Sequence, residues 1–363
     1  MNYRLIDTIG KETGMHLYDE AFVKGFEDAG KSLVVLSNYE DDNVKPLIKN
    51  FYHRGKVGNI SFLLLSLFRM FCYRLNHIHD IFIYQSFGLR FIDILFILLF
   101  WGDKRFFVVV HDVYEITDAN GIPFGIKYKI QKWTYQHCIK NVICHSHQSI
   151  EVLKKDAHFT GNIIYFPHLR YCFDKTYKVE SLSQEVLNTI EKNKINCLFF
   201  GQLRPTKGVD VLKDAINILK DNEDINIIVA GQDKARLMID DETPKNVRKI
   251  LRRIDDNELN YLFSMCDVVL LPYKEIYQSG VVESVIHFGK FAIMSDCRAF
   301  KELITLYPSF GVTYSPNNGE TLASCIIEQI NQRRNYEKVD IDRYSADHDV
   351  KILIKKIDEI LLK

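Results

Sequence analysis

The sequence predicts an α/β protein built from two Rossmann-like domains, and three observations carry that prediction. Short apolar runs of strand length alternate with stretches of helical periodicity along all 363 residues, the pattern of parallel sheets with crossover helices. Two segments, Cys197–Asp210 and Cys266–Asp296, each join an apolar run to a helix through a polar loop. A polar, charged stretch between Tyr171 and Asn196 separates two halves, each long enough to bury its own core.

In the amino-terminal half, Leu5–Ile9 reads as a strand. Gly10 and Gly14 bracket the turn that follows, where the backbone can approach a ligand closely. A helix then runs to Ala29-Gly30. Ser32–Ser37, Ile81–Gln85, Phe106–Val110, Asn141–Cys144 and Asn162–Tyr165 are further strands. The run Phe106–Val110 delivers His111-Asp112 at its carboxyl end, where active-site side chains emerge in open α/β sheets; a lone His-Asp is otherwise an ordinary loop pair. Pro167-His168 leaves the last strand in the same direction. The apolar runs Ile60–Leu75 and Phe91–Trp101 contain Arg69, Arg74 and Asp93. Both fall short of the roughly twenty uncharged residues of a spanning helix and read as core helices.

The carboxyl-terminal half begins with the strand that contains Leu198. It alternates strand and helix through Ile225–Ala230, Val268–Leu271, Phe291–Met294 and Gly311–Tyr314. In CLFFGQLRPTKGVD the strand breaks at Gly201 into a loop with Arg204 and Lys207, and a helix follows Gly208. A guanidinium and an ammonium beside helix-terminal amides suit a diphosphate. A Walker loop is excluded, since no Gly-Lys-Ser/Thr is present. In CDVVLLPYKEIYQSGVVESVIHFGKFAIMSD, Pro272-Tyr273 ends the strand. Ser279, Gly280 and Val281 open the next helix, and Glu275 and Glu283 lie seven residues apart. A helix N-terminus at the carboxyl end of a strand is where phosphates and nucleotides bind in such sheets. The last stretch, DHDVKILIKKIDEILLK, reads as an amphipathic helix.

Glu275-x7-Glu283 followed by HFGKFAIMSD, with GQLRPTKG upstream, resembles the carboxyl-terminal half of glycosyltransferase family 4, a resemblance specific from about Asn196 to Glu302. It implies the GT-B fold, two Rossmann-like domains with a central cleft. It also implies sugar transfer from a nucleotide-sugar donor, without a metal and with retention of configuration. Carried across, Arg204 and Lys207 hold the donor diphosphate beside Gly201, Glu283 the ribose hydroxyls, and Glu275 lies near the donor sugar. The amides of Ser279, Gly280 and Val281, with Gln278 before them, meet phosphate or sugar. Gly14 helps to place donor phosphate and acceptor, and His111 lies near the donor sugar as a catalytic group beside Glu275. The resemblance assigns residues 1–175 and 346–363 to the acceptor domain and 193–345 to the donor domain. The chain departs from many members in having Gln202 after Gly201 and IYQSG in the second loop, which leaves the donor sugar and base open.

Lysine plus arginine equals aspartate plus glutamate at 47 each, which argues against a dedicated nucleic-acid binder. Hydrophobic content of 47% and charged content of 26% are ordinary for a globular chain. Eight cysteines without a Cys-x2-Cys pair read as reduced thiols in a cytoplasmic protein. Cys144, His145 and His147 lack a fourth metal ligand. Asp340-Ile341-Asp342 falls outside both phosphate motifs, so neither metal nor cofactor is expected and the nucleotide-sugar is a co-substrate. The basic and aromatic stretch from Lys49 to Lys56, with His53 and Arg54, adjoins the run from Ile60. It suggests contact with an anionic membrane surface and a lipid-linked saccharide acceptor. The expected function is a cytoplasmic, peripheral glycosyltransferase of surface polysaccharide or glycan synthesis. A nucleotide-sugar epimerase or hydrolase of the same fold, or an inactive sugar-nucleotide-binding subunit, is the alternative.

Overall fold

The computed structural model describes residues 2–13, 15–49, 55–114, 125–238, 243–276, 279–330 and 337–362. The chain divides into two compact units, residues 1–173 with 347–363, and residues 174–346. Each is a parallel sheet wound with helices.

The amino-terminal sheet contains β1 (Tyr3–Ile6), β2 (Leu33–Leu36), β3 (Val44–Lys45), β4 (Ile81–Phe87), β5 (Phe106–Asp112), β6 (Asn141–Cys144) and β7 (Asn162–Tyr165). Their spatial order is β3-β2-β1-β4-β5-β6-β7. The helices are α1 (Met15–Asp28), α2 (Gly55–Asn76), α3 (Phe91–Leu98), α4 (Ile126–His137) and α5 (His147–Lys155). Side chains alternate between the faces of a strand, and β5 shows the consequence. Phe106, Val108 and Val110 join the core that includes Met70 of α2, Phe96 of α3, Tyr135 of α4 and Leu153 of α5. Phe107 and Val109 join the core under α1.

The carboxyl-terminal sheet contains β8 (Ile195–Phe200), β9 (Ile225–Ala230), β10 (Val247–Ile250), β11 (Val268–Leu271), β12 (Phe291–Ser295) and β13 (Gly311–Tyr314). Their order is β10-β9-β8-β11-β12-β13. Its helices are α6 (Gln184–Leu187), α7 (Val209–Leu219), α8 (Asp256–Met265), α9 (Gly280–Phe288), α10 (Arg298–Leu306), α11 (Gly319–Ile330) and α12 (Lys338–Asp347). The last helix, α13 (Val350–Leu361), packs Val350, Leu353, Ile354 and Ile357 on the amino-terminal unit beside Phe22 and Phe26 of α1.

Two readings of the sequence need correction, the first strand and the helix from Ile60. The first strand is Tyr3–Ile6 rather than Leu5–Ile9, because Asp7 turns the backbone after Ile6. The polar stretch after Phe173 is part of the carboxyl-terminal unit. Asn260 Nδ2 donates to the Asp174 and Thr176 carbonyls at 2.8 Å each, and Arg252 Nε pairs with Glu185 at 2.9 Å. These contacts, with the buried Leu182 and Val186 and the Tyr177 ring against Tyr261, fasten it to the carboxyl-terminal unit. The run Ile60–Leu75 is not a core helix: Met70 is buried, but Leu64 is 61% exposed and Phe68 65%. The helix covers the sheet with one face and turns an apolar stripe outward.

Helices α1 and α13 pack against each other at Gly25, where an added Cβ would lie 2.3 Å from Val350 Cγ2. Gly25→Ala should therefore destabilise the protein by about 1–3 kcal/mol through overpacking, although alanine favours an isolated helix by about 1 kcal/mol. Val350→Ala in the same chain should restore much of the loss. A rise in melting temperature from Gly25→Ala alone would contradict this docking.

Candidate functional site

In the carboxyl-terminal unit β8 lies between β9 and β11, so the chain's path across the sheet reverses at the β8/β11 boundary. Ligands of open α/β sheets bind in the crevice at the carboxyl ends of such strands. After β8 the backbone turns at Gly201 with φ +115°, a left-handed conformation that favours glycine. A single 310 turn, Pro205–Lys207, leads to Gly208 at φ +68° and then to α7. Gly208 also gives space, since a Cβ there would lie 1.8 Å from the Pro272 carbonyl oxygen. The loops after β8 and β11 are thus laid against each other. Lys274 N donates to the Thr206 carbonyl at 2.8 Å, and Lys274 Nζ pairs with Asp210 at 2.5 Å.

This lacing brings the two sequence motifs together. A Cβ at Gly201 would lie 3.1 Å from Lys207 Nζ and 3.4 Å from Val281 Cγ2. Lys207 Nζ donates to the Tyr273 hydroxyl at 3.0 Å, and Tyr273 is buried. Arg204 is exposed, and its Nε and Nη2 both donate to Gln202 Oε1, at 3.1 and 2.7 Å. The residue that sets this chain apart after Gly201 therefore holds the Arg204 side chain. Ser279 is the N-cap of α9, and Gly280 and Val281 are its first residues, all partly exposed. The first amides of a helix lack intrahelical acceptors and carry the positive end of its dipole. Together with Lys207 and Arg204 they form a surface suited to phosphate oxygens.

The two glutamates differ in setting. Glu275 is exposed in the loop after β11. Glu283 is buried in α9, and its Oε2 accepts a 2.5 Å hydrogen bond from the Tyr344 hydroxyl of α12. Tyr344 sits against Tyr307 and Phe310, so α12 fixes the direction of this carboxylate. Gln278 and Gly14 lie outside the described residues.

His111 belongs to the amino-terminal unit, at the end of β5, and is buried. Its ring stacks on Phe87 with centroids 4.5 Å apart. Its Nε2–H donates to Gln85 Oε1 at 3.2 Å, and Gln85 Nε2 donates to Asp19 Oδ1 at 2.6 Å. The Tyr39 hydroxyl donates to Asp19 Oδ2 at 3.0 Å. Asp19 in turn hydrogen-bonds Asp7. Asp7 accepts from the amides of Ile9 and Gly10 at 2.8 and 2.7 Å, which pins the turn after β1. Burial, and then the charge of Asp7, push Asp19 well above the usual carboxylate range; burial also raises Asp7. This chain of contacts fixes the His111 ring through its Nε2–H.

Beside it, the Tyr18 hydroxyl lies 2.7 Å from His145 Nε2, and His145 Nδ1 donates to the Phe166 carbonyl at 2.8 Å. Sequence reasoning singled out His111 but missed Asp7, Asp19, Gln85 and Tyr344. An aspartate one residue past an apolar strand and before a glycine was a readable signal for Asp7. Asp19, Gln85 and Tyr344 sit inside helices or a strand, and only the fold aims them at their partners. Asp340 accepts from the Ser309 amide at 2.8 Å, a structural use. Among the described residues no group of histidine, cysteine and carboxylate side chains is placed to hold a metal ion. All eight cysteines are free thiols.

Residues 183–346 match the model of the family described as "Glycosyl transferases group 1". No curated protein matches the sequence. Among solved structures the chain is similar to sucrose-phosphate synthase from Thermosynechococcus elongatus, with TM-score 0.69 and 13% identity over 99% of this chain and 98% of that one. It is similar to Anabaena HepE in complex with UDP-glucose, with TM-score 0.66 and 16% identity over 99% of each chain. It is also similar to WaaG, a glycosyltransferase involved in lipopolysaccharide biosynthesis, with TM-score 0.62 and 15% identity over 99% of each chain. The two wound sheets are those of the GT-B fold.

Two histidines, His145 buried and His168 half-buried, generate a pH dependence. Burial holds His145 down at about 4 and His168 at about 3. An unfolded chain binds these protons below about pH 6.5, whereas the folded chain refuses them until pH 4 or 3. Their contribution is therefore intact above pH 6.5 and is lost as pH falls towards those values, at roughly 1.4 kcal/mol per pH unit each. Asp19 acts oppositely, because its raised value favours the fold at low pH. His168→Phe keeps the ring and should flatten the fall in melting temperature between pH 6.5 and 4.5. An equally steep fall in parent and variant would contradict the assignment.

Proposed function

We propose, from the match of residues 183–346 to the group 1 glycosyl transferase model, that the protein moves a sugar from a UDP- or GDP-linked donor to a lipid-linked saccharide, with retention, at the cytoplasmic face of a membrane in surface polysaccharide or glycan synthesis. The observation that carries the reading is the meeting of Gly201, Lys207 and the first residues of α9 at the strand-order reversal. HepE in complex with UDP-glucose and WaaG in lipopolysaccharide biosynthesis support the donor and acceptor classes.

In this reading Lys207, already held by Tyr273, and Arg204, released from Gln202, bind the donor diphosphate with the amides of Ser279, Gly280 and Val281. The negative charge that develops on the departing diphosphate is met by these fixed donors, which cost little reorganisation at the moment of reaction. The carboxylate of Glu283, aimed by Tyr344, accepts ribose hydroxyls. Glu275, exposed in the loop after β11, faces the donor sugar as it gains oxocarbenium character. His111 of the amino-terminal unit, oriented through Gln85 and Asp19, acts near the donor sugar. Gly14 and Gln278 retain their roles beside phosphate and sugar. No step in the scheme requires a divalent cation.

The test is a transfer assay run in EDTA with each nucleotide-sugar and a saccharide acceptor. A charge-assisted hydrogen bond is worth about 1.5–3 kcal/mol, so Arg204→Ala and Lys207→Ala should each lower kcat/KM by about tenfold to over a hundredfold without unfolding the chain. Glu283→Gln should chiefly raise the donor KM, and Glu275→Ala should chiefly lower kcat. Full activity of both cation variants removes the diphosphate site. Loss of activity in EDTA with recovery in manganese overturns the metal-independent scheme. Epimerisation or hydrolysis without an acceptor selects the other reaction class.

A further inference from the structure

Helix α2 turns Ile60, Leu64, Phe68, Phe71 and Leu75 to solvent, a spacing that lines one face of a helix over its whole length. Large apolar side chains so arranged mark an interaction surface rather than scattered exposure. The surface continues beyond α2. Arg74 pairs with Asp103 at 3.2 Å and with the Leu99 carbonyl, which ties the end of α2 to the end of α3. There Trp101 donates from Nε1 to the His137 carbonyl at 2.9 Å, and its ring lies 5.9 Å from Trp133 of α4. Helix α4 exposes Ile126, Ile130 and Trp133, with Ile126 at 78%. The exposed Lys127 and Lys129 are interleaved among them.

Charge decides the occupant. Neither α2 nor α4 contains an aspartate or glutamate, and between them they carry Arg69, Arg74, Lys127, Lys129 and Lys132, in a chain whose net charge is zero. A two-fold pairing of this chain would set those cations against their own copies. An anionic bilayer offers both complements at once: acyl chains for the leucines and phenylalanines, headgroup depth for tryptophan, and negative charge for the lysines. Among the described residues no helix is long and apolar enough to cross a membrane.

We propose that the outer faces of α2 and α4, joined by the Trp101–Trp133 pair, form a surface that lies on an anionic phospholipid bilayer. The sequence had placed such attachment in Lys49–Lys56. Residues 50–54 lie outside the described set, and the surface assigned here is built from later residues. The proposal rests on the lipid-linked acceptor reading only for its biological use, because the surface uses none of the residues of the nucleotide motifs.

The two tryptophans of the chain are Trp101 and Trp133, so intrinsic fluorescence reports on this surface alone. Vesicles of phosphatidylcholine with phosphatidylglycerol should shift the emission to the blue and sediment the protein at low salt. The effect should fade as salt rises and be weak with phosphatidylcholine alone. Lys127→Glu with Lys129→Glu should weaken binding by at least about thirtyfold, on about 1 kcal/mol per cation. Leu64→Glu with Phe68→Glu should abolish the sedimentation while leaving nucleotide binding intact. No spectral shift on anionic vesicles, equal binding by the variants, or self-association of the parent that the apolar variant abolishes in place of vesicle binding would each overturn the proposal. Vesicle binding by a protein that binds no nucleotide supports this surface and removes the transferase reading alone.

Discussion

The carboxyl-terminal unit depends on one contact between two neighbouring turns. Strands β8 and β11 lie side by side where the sheet order reverses, and the backbone after β8 passes so close to Pro272 that only glycine fits at position 208. Lys207 is thereby carried to the Tyr273 hydroxyl, within reach of Gly201 and Val281. A lysine on an open loop samples many rotamers, and ordering such a side chain costs roughly 1.5–2 kcal/mol. Here Tyr273, buried against Phe300, meets much of that cost in the folded chain. The ammonium is consequently fixed beside the α9 N-terminus, and the cation and the helix dipole act on one place.

The amino-terminal unit solves a different problem with the same topology. Its order also reverses, between β1 and β4, and Asp7, Gln85 and His111 stand at or near the carboxyl ends of β1, β4 and β5. Two buried carboxyls, Asp7 and Asp19, are tolerated because backbone amides and the Ser37, Tyr39 and Gln85 side chains satisfy them. Unpaired, they would be expensive to bury. The network is therefore both a structural knot and the support that orients His111.

Much of this was legible in the sequence, and the reasons are local. Val268–Leu271 and Asn141–Cys144 are short apolar runs with clear punctuation, and the structure places strands at those residues. Gly201, Lys207 and Val281 could be grouped because strand, turn and helix followed one another in both motifs. The short strand Val247–Ile250 was missed, since Arg248 and Lys249 mask its apolar character and it sits at a sheet edge. Helix α2 was misjudged because hydropathy counts apolar residues without saying which face they occupy. Tyr344 was invisible as a partner of Glu283: sixty-one residues separate them, and only the packing of α12 against α9 joins them.

The central claim is that the turn at Gly201–Gly208 and the start of α9 bind a nucleoside diphosphate. Thermal unfolding in saturating UDP, GDP or ADP tests it most directly, since a ligand at a hundred times its Kd adds about 2.7 kcal/mol to the folded state. The account predicts that at least one of the three raises the melting temperature of the parent chain and that Lys207→Ala loses most of that rise. An unchanged melting temperature with all three, or a full rise retained by Lys207→Ala, would contradict it.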